Sequence, residues 1–136
     1  MKRVVIESPF AGNTPEERAE NLEYAKACML DSLRRGEAPF ASHLLYTQVL
    51  DDALTDDREL GIAAGLSLVR GFELTAVYID RGLSPGMKRG LTAAGRARRT
   101  YVVRSIQGAL DIPTALATAI HRANLAGILE PYEDGR

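Results

Sequence analysis

The sequence lacks the features of a disulfide-stabilised, strongly basic or membrane-spanning protein. It has one cysteine, Cys28, so an intramolecular disulfide is impossible and a cysteine-built metal site is not expected. Its 17 basic and 18 acidic side chains give a net charge of −1, without the basic excess that attracts nucleic acid polymers or anionic membranes. No stretch approaches the roughly 18 apolar residues of a spanning helix, and the start is too short for a signal peptide. We therefore expect a cytoplasmic protein with no membrane and no polymeric nucleic acid as partner.

The remaining composition is that of one ordinary globular domain. Of the 136 residues, 46% are apolar and 26% are charged, and this length is enough to close one core. We expect residues 1–129 to form a single domain and residues 130–136 to form a frayed tail. Acidic pairs at residues 51–52 and 56–57 are explained by a loop and by a helix start, where negative charge is favourable. The sequence therefore predicts no metal site and no cofactor.

Apolar, β-branched segments alternate with segments of helical periodicity along the chain. Strands are predicted at residues 4–6, 38–42, 74–79 and 101–103. Helices are predicted from the cap Thr14 to Gly36, from Thr55 to Gly71, from Gly86 to Ala94, and from Pro113 onward. Because each parallel crossover needs a covering helix, this alternation indicates the α/β class. We expect a flavodoxin-like or Rossmann-like three-layer sandwich, with a four- to five-stranded parallel sheet in the order 2-1-3-4 and a C-terminal helix.

Three helices carry further signals. Thr14 and Glu17 fit a capping box at the start of the first helix, with Pro15 at its first position. The inner stripe of the second helix is predicted to be Leu60, Ala63, Ala64 and Leu68. The apolar residues of the last helix are Leu116, Ala119, Ile120, Ala123, Leu125 and Ile128. Because this surface is more apolar than a lone helix requires, we expect a homo-oligomer. Gly127 weakens the last helix or lets a neighbour approach closely.

A ligand site is expected where the loops after strands 1 and 3 meet. In an open parallel sheet, ligands bind beyond the carboxyl ends of the strands, at the point where neighbouring connections diverge. The two loops here span residues 8–13 and 80–86, and each precedes a helix N-terminus that can hold phosphate or carboxylate. The residues expected to bind the ligand are Ser8, Pro9, Phe10, Gly12, Asn13, Ser84, Gly86 and Met87.

Three residues near these loops are candidates for acid or base chemistry, and each has a structural alternative. Glu7 follows a buried strand directly, where an unpaired carboxylate is costly; pairing with a nearby arginine is the structural alternative. Asp80 ends a central strand at the predicted ligand site, or else caps a turn. His43 closes the second strand as a ligand or proton carrier, or as a hydrogen-bonded structural residue.

Two segments resemble a known family. Residues 4–12, VVIESPFAG, resemble the opening strand and small-Pro-aromatic turn of the nucleoside 2-deoxyribosyltransferase superfamily. Residues 80–87, DRGLSPGM, resemble the third-strand loop of small relatives, common in phages and their hosts, that carry a Ser-x-Gly-Met turn. The resemblance covers roughly residues 4 to 105 and leaves the last helix outside. It implies a nucleotide-shaped cleft, cleavage of a glycosidic bond, and a site that a neighbouring subunit can complete.

The chain departs from that family at the residue that carries the chemistry. In the family, a glutamate near the start of the third helix attacks the sugar, and an aspartate in the preceding loop orients it. Counting along the motif puts the glutamate at Gly90, and no carboxylate occurs between Asp80 and Asp111. Glycine cannot act as a nucleophile, so the double displacement of the family is not expected here.

These observations lead to a first hypothesis and two alternatives. The first is a phage-type protein that binds a small nucleotide or nucleoside derivative without transferase chemistry, for instance to sequester a nucleotide signal. In it, Phe10 stacks on a base or ribose, Asp80 holds sugar hydroxyls, and the two helix N-termini hold phosphate. The second is an N-glycosidase or nucleotide hydrolase in which Glu7, Asp80 or His43 replaces the missing glutamate. The third is an interaction module assembled through the last helix.

Overall fold

The computed structural model describes residues 1–108 and 110–130, in which four strands alternate with four helices. The strands are β1 (Arg3–Glu7), β2 (Ala38–Phe40), β3 (Leu74–Tyr78) and β4 (Thr100–Arg104). The helices are α1 (Pro15–Arg34), α2 (Thr55–Leu68), α3 (Pro85–Arg96) and α4 (Thr114–Leu129). Two short 3₁₀ turns, Ser42–Leu44 and Tyr46–Gln48, follow β2. Residues 131–136 of the predicted tail lie outside the described residues.

The four strands form one parallel sheet in the predicted order, β2-β1-β3-β4. Val5 of β1 lies opposite Phe40 on one side and Thr75 on the other, so β1 and β3 are the two central strands. The predicted α/β class and the sheet order are therefore confirmed. Since β1 and β3 are adjacent and parallel, the loops that follow them leave the same edge of the sheet.

Two apolar clusters among the described residues join α1, α3 and α4 to the sheet. One joins Val4 and Ile6 of β1 to Tyr24 and Cys28 of α1, all buried. The other lies beneath α3 and α4 and contains Val77, Met87, Leu91 and Ile120. Alternate residues of a strand face opposite sides of a sheet, so the strands pack against helices on both faces.

Helix α2 differs from the expectation. Its predicted inner residues Leu60 and Leu68 are 60% and 48% exposed, and Gly65 is its only buried residue. The periodicity correctly indicated a helix, but no described element covers these leucines. Among the described residues, no helix combines the length and the apolar content that crossing a membrane requires.

Helices α3 and α4 pack closely because glycines meet at the contact. A Cβ atom added at Gly127 would overlap the carbonyl of Thr92, and one added at Gly95 would overlap the carbonyl of Asn124. The hydroxyl of Thr92 donates to the carbonyl of Ala123 at 2.9 Å across the same contact. The predicted close approach at Gly127 is confirmed. Of the apolar residues of α4, expected to mediate assembly, Ile120 is buried in the core beneath α3, whereas Leu125 and Ile128 are 36% and 37% exposed.

Candidate functional site

The loops after β1 and β3 meet and enclose an open cleft of about 480 Å³. This volume falls within the range of small-molecule sites. The cleft is lined by Pro9, Ala11, Glu17, Asn21, Asp80, Arg81, Leu83 and Ser84. The two loops thus lie side by side, and Pro9, Asp80 and Ser84 lie on the cleft wall. Their contact with a ligand stays a prediction.

Asn21 and Arg81 connect the two loops, and no sequence motif indicated either residue. The Asn21 amide, which is 6% exposed, donates to the carbonyls of Phe10 and Ala11 at 3.3 and 3.2 Å. Its oxygen accepts a hydrogen bond from Nε of Arg81 at 3.0 Å. Arg81 also pairs with Glu20 at 3.1 Å at the exposed rim. A polar residue on the inward face of α1 is the signal that could have identified Asn21.

Asp80 lines the cleft, but its carboxylate is held by groups of the protein. It accepts hydrogen bonds from the hydroxyls of Tyr24 and Ser105 and from the amides of Ile106 and Gln107. Burial alone would raise the pKa of Asp80, but these hydrogen bonds outweigh it and lower the pKa. These bonds fit the structural alternative, in which Asp80 anchors the loops around it. Contact with a sugar stays a prediction for Asp80.

His43 contacts the first loop instead of the cleft. It lies in the 3₁₀ turn after β2, and its Nε2–H donates to the carbonyl of Ser8 at 3.1 Å. Its ring stacks on Phe10 with centroids 4.8 Å apart and planes 7° apart. Burial lowers the pKa of His43 against the opposing effect of the Ser8 carbonyl. Phe10, expected to stack on a base, therefore already has an aromatic partner, and neither ring is part of the cleft wall.

Ser8 stands apart from the other loop residues. It is 1% exposed, and its Oγ has no hydrogen-bond partner among the described residues. An unsatisfied buried hydroxyl is uncommon in folded proteins. Ser8 follows the central strand β1 directly and precedes Pro9 of the cleft wall. It remains a candidate for ligand binding.

Gly12 and Asn13 shape the start of α1. A Cβ atom at Gly12 would crowd the Cβ of Glu17 and the amide of Arg18, so the loop passes close to the helix. The amide of Asn13 donates to the Glu17 carboxylate at 2.7 Å, and the Thr14 hydroxyl accepts from the Glu17 amide at 3.1 Å. The Thr14 cap is confirmed, but the capping box is not complete, because the Glu17 carboxylate accepts from the amide of Asn13 and not from that of Thr14. Glu17 also lines the cleft.

The start of α3 holds the remaining predicted residues. Ser84 caps the helix, because its Oγ accepts from the Met87 amide at 3.2 Å. Gly86 lies in the first turn, where an added Cβ atom would come no closer than 3.6 Å to Nη2 of Arg89. Met87, expected in the pocket, is 1% exposed and belongs to the core beneath α3. Its position at the helix start indicated a site, but its side chain points to the sheet.

Glu7 occupies the space beside Gly90. A Cβ atom at Gly90 would overlap the carboxylate of Glu7. The Glu7 side chain therefore reaches from β1 to the position in α3 where glycine has no side chain. The expectation that this place holds no acid is therefore wrong. The family pattern concerns residues of α3 alone, whereas the acid here comes from a strand that is remote in the sequence.

The surroundings of Glu7 favour its neutral form. Burial raises the pKa of Glu7 to about 8, although the positive charges of Arg99 and Arg89 partly oppose this shift. The Glu7 carboxylate accepts no hydrogen bond from any residue that the structure describes. Arg99 instead donates to oxygens of Val69, Phe72 and Thr75. The structural alternative, an ion pair with an arginine, is thus replaced by a longer-range interaction, and burial keeps the pKa of the carboxyl raised to about 8.

The fold and the site define a doubly wound α/β protein with a cleft at the point where the sheet connections diverge. The solved structure of a 2-deoxyribosyltransferase from the psychrotolerant bacterium Bacillus psychrosaccharolyticus has this fold. It is 15% identical, the alignment covers 96% of this chain and 99% of that chain, and the TM-score is 0.57. This likeness confirms the fold that the resemblance implied.

The family itself is identified by a family model that matches residues 2–104. The chain belongs to this family, which is described as a domain of unknown function, DUF7768. A search of curated proteins finds no match. Helix α4 lies beyond the matched residues.

Proposed function

We propose that the protein binds a small nucleotide or nucleoside derivative in the cleft between the loops after β1 and β3. The observation that carries this proposal is the cleft of about 480 Å³ at the carboxyl edge of the two central strands. Parallel α/β sheets bind their ligands at this edge. The fold is shared with a protein that is described as a biocatalyst for the synthesis of nucleosides.

The cleft wall has chemistry that suits a phosphorylated ligand. Arg81 presents a guanidinium whose ion pair with Glu20 is solvent-exposed, and such pairs contribute little stability. A phosphate can therefore compete for Arg81 at small cost. Ser84 and the start of α3 lie beside it, where the helix dipole favours negative charge.

Titration calorimetry with nucleosides, nucleoside monophosphates and cyclic nucleotides tests this proposal. We expect binding of at least one class, and a tenfold or greater loss for phosphorylated ligands in Arg81→Gln. Arg58→Gln, which removes an exposed charge from α2, is the matched control and should bind as the unaltered protein does. No heat with any ligand at millimolar concentration would overturn the proposal.

We further propose that the chain forms a homo-oligomer through α2. Leu60, Ile62, Leu66 and Leu68 are between 42% and 60% exposed on this helix. Large exposed apolar patches mark association surfaces. Light scattering should give a mass above the 14.8 kDa of one chain, and Leu60→Glu should lower it. A monomer at high micromolar concentration would contradict this proposal.

A further inference from the structure

We propose that the outer edge of β4 is an interaction surface, and that its partner is the same edge of a second copy of this chain, paired antiparallel about Val102. This inference goes beyond the proposed ligand cleft and concerns a surface distinct from that of α2. It follows from the backbone groups that the sheet leaves unpaired and from the sequence of the strand that carries them.

Strand β4 lies at one edge of the sheet, and its outward backbone groups have no partner among the described residues. The carbonyl of Arg104 accepts a hydrogen bond from the amide of Ile79, which follows β3. Because alternate residues of a parallel strand bond to the same neighbour, Val102 also bonds towards β3. The N–H and C=O groups of Tyr101 and Val103 therefore point away from the sheet, and no described residue bonds to them.

The opposite edge of the sheet, formed by β2, is closed to such pairing. The Ala38 amide donates to the carbonyl of Lys2, so Ala38 faces β1 and the next residue, Pro39, faces outward. Proline has no N–H to offer a further strand, and β2 is only three residues long. Short strands, proline and charged side chains are the usual protections of an exposed edge. Residues 101–103 of β4 include neither proline nor a charged side chain, so this edge lacks them.

The sequence of β4 is complementary to itself when two copies run antiparallel with Val102 opposite its own equivalent. Tyr101 then lies opposite Val103 of the second copy, and these are the residues whose backbone groups point outward. Each such pair can exchange two N–H···O=C bonds, as hydrogen-bonded pairs of an antiparallel ladder do. Aromatic and β-branched side chains are favourable cross-strand neighbours. Thr100 lies opposite Arg104, so this register places no two like charges face to face.

The surface beside this edge offers apolar contact as well. Thr100 and Tyr101 at the start of β4, with Asn124 and Ile128 of α4 and the two arginines that precede β4, line a groove of about 290 Å³. Ile128 is 37% exposed there. In an antiparallel pairing the two-fold axis is normal to the sheet, so α4 of both copies lies on the same face of the joined sheet. The second copy can therefore cover the groove while its strand pairs with the edge, which enlarges the contact beyond the backbone bonds.

Oxidative crosslinking tests the proposed register. The Cα atoms of the pair on the two-fold axis are about 4.5 Å apart in this arrangement, within reach of a disulfide. Val102→Cys should therefore form a disulfide-linked dimer on oxidation, measured on a non-reducing gel. Thr100→Cys is the matched control, because the equivalent positions of the two copies are then about 14 Å apart along the strands. We expect at least tenfold more linked dimer from Val102→Cys. The unaltered protein controls for Cys28, which is 0% exposed.

A second variant tests the outward backbone groups. Val103→Pro removes an N–H to which no described residue bonds and gives β4 an outward proline like that of β2, so we expect light scattering to give half the mass of the unaltered protein. Thermal unfolding shows whether this variant is folded, and the crosslinking alone decides the matter if it is not. Crosslinking that is no greater for Val102→Cys than for Thr100→Cys, or an unchanged mass for folded Val103→Pro, overturns the inference. Either result leaves the proposed ligand binding intact, because neither variant touches the cleft.

Discussion

Replacing Glu7 with glutamine keeps the shape of the side chain beside Gly90 and removes its ability to ionise. The unaltered protein must either keep a proton on this carboxyl or hold a buried charge near Arg89 and Arg99. Glutamine cannot ionise, so the variant has neither the proton nor the charge at this position. The variant therefore isolates the contribution of one ionisation to the pH dependence of folding.

The sign and size of this contribution follow from the pKa. In the unfolded chain Glu7 titrates near 4.5, and in the folded protein its pKa is about 8. The folded state binds the proton more tightly, so its stabilising contribution is complete below pH 4.5 and is lost as the pH rises towards 8. At about 1.4 kcal/mol for each unit, the stability of the unaltered protein relative to Glu7→Gln should fall by about 5 kcal/mol between pH 4 and pH 9.

Urea unfolding of both proteins at closely spaced pH values measures this difference directly. We expect the two free energies of unfolding to lie closest at pH 4 and to diverge steadily through neutrality, with Glu7→Gln the more stable above pH 8. In thermal melts the same divergence is about 15 °C for a domain of this size. A difference that does not change with pH would mean that Glu7 ionises freely in the folded protein, and it would contradict a raised pKa for this carboxyl.

Three further substitutions test the packing and the loop anchors, each by urea unfolding. Gly127→Ala forces a methyl group against the carbonyl of Thr92 and should destabilise the fold by about 1–3 kcal/mol, whereas Gly65→Ala, which meets nothing within 4 Å, should be neutral or stabilising. Asp80→Asn weakens four hydrogen bonds and should cost about 2 kcal/mol; a neutral effect would contradict its role as an anchor. Glu37→Gln leaves a nearly buried arginine without its ion-pair partner and should cost about 3–5 kcal/mol, and an unchanged midpoint would refute this estimate.

The sheet could be predicted because its signals are local. The β-branched run that begins at Val4 and the run that ends at Tyr78 identify the two central strands without knowledge of distant residues. The cap at Thr14 depends on residues within one helical turn. Right-handed crossovers then leave few ways to order four parallel strands, so the arrangement of the sheet followed from the order of its elements.

Local signals could not predict which helix faces are buried by other elements, nor which side chains meet at the candidate site. The spacing of Leu60 and Leu68 shows that they lie near one face, but it does not show whether another element covers that face. The contact between Glu7 and Gly90 joins a strand and a helix turn that lie far apart along the chain. The glycine was recognised as the residue at which the family pattern fails. Only the folded arrangement shows that the Glu7 carboxylate lies beside Gly90.

The close contact between α3 and α4 limits which substitutions the protein can accept. The glycine contacts join the helix beside the candidate site to a helix that lies beyond the residues matched by the family model. A bulkier residue at Gly127 would push on Thr92 of α3, which lies within one turn of Gly90. Substitutions near the far end of the chain are therefore constrained by the packing of α3, and the last helix supports the helix that begins at the cleft.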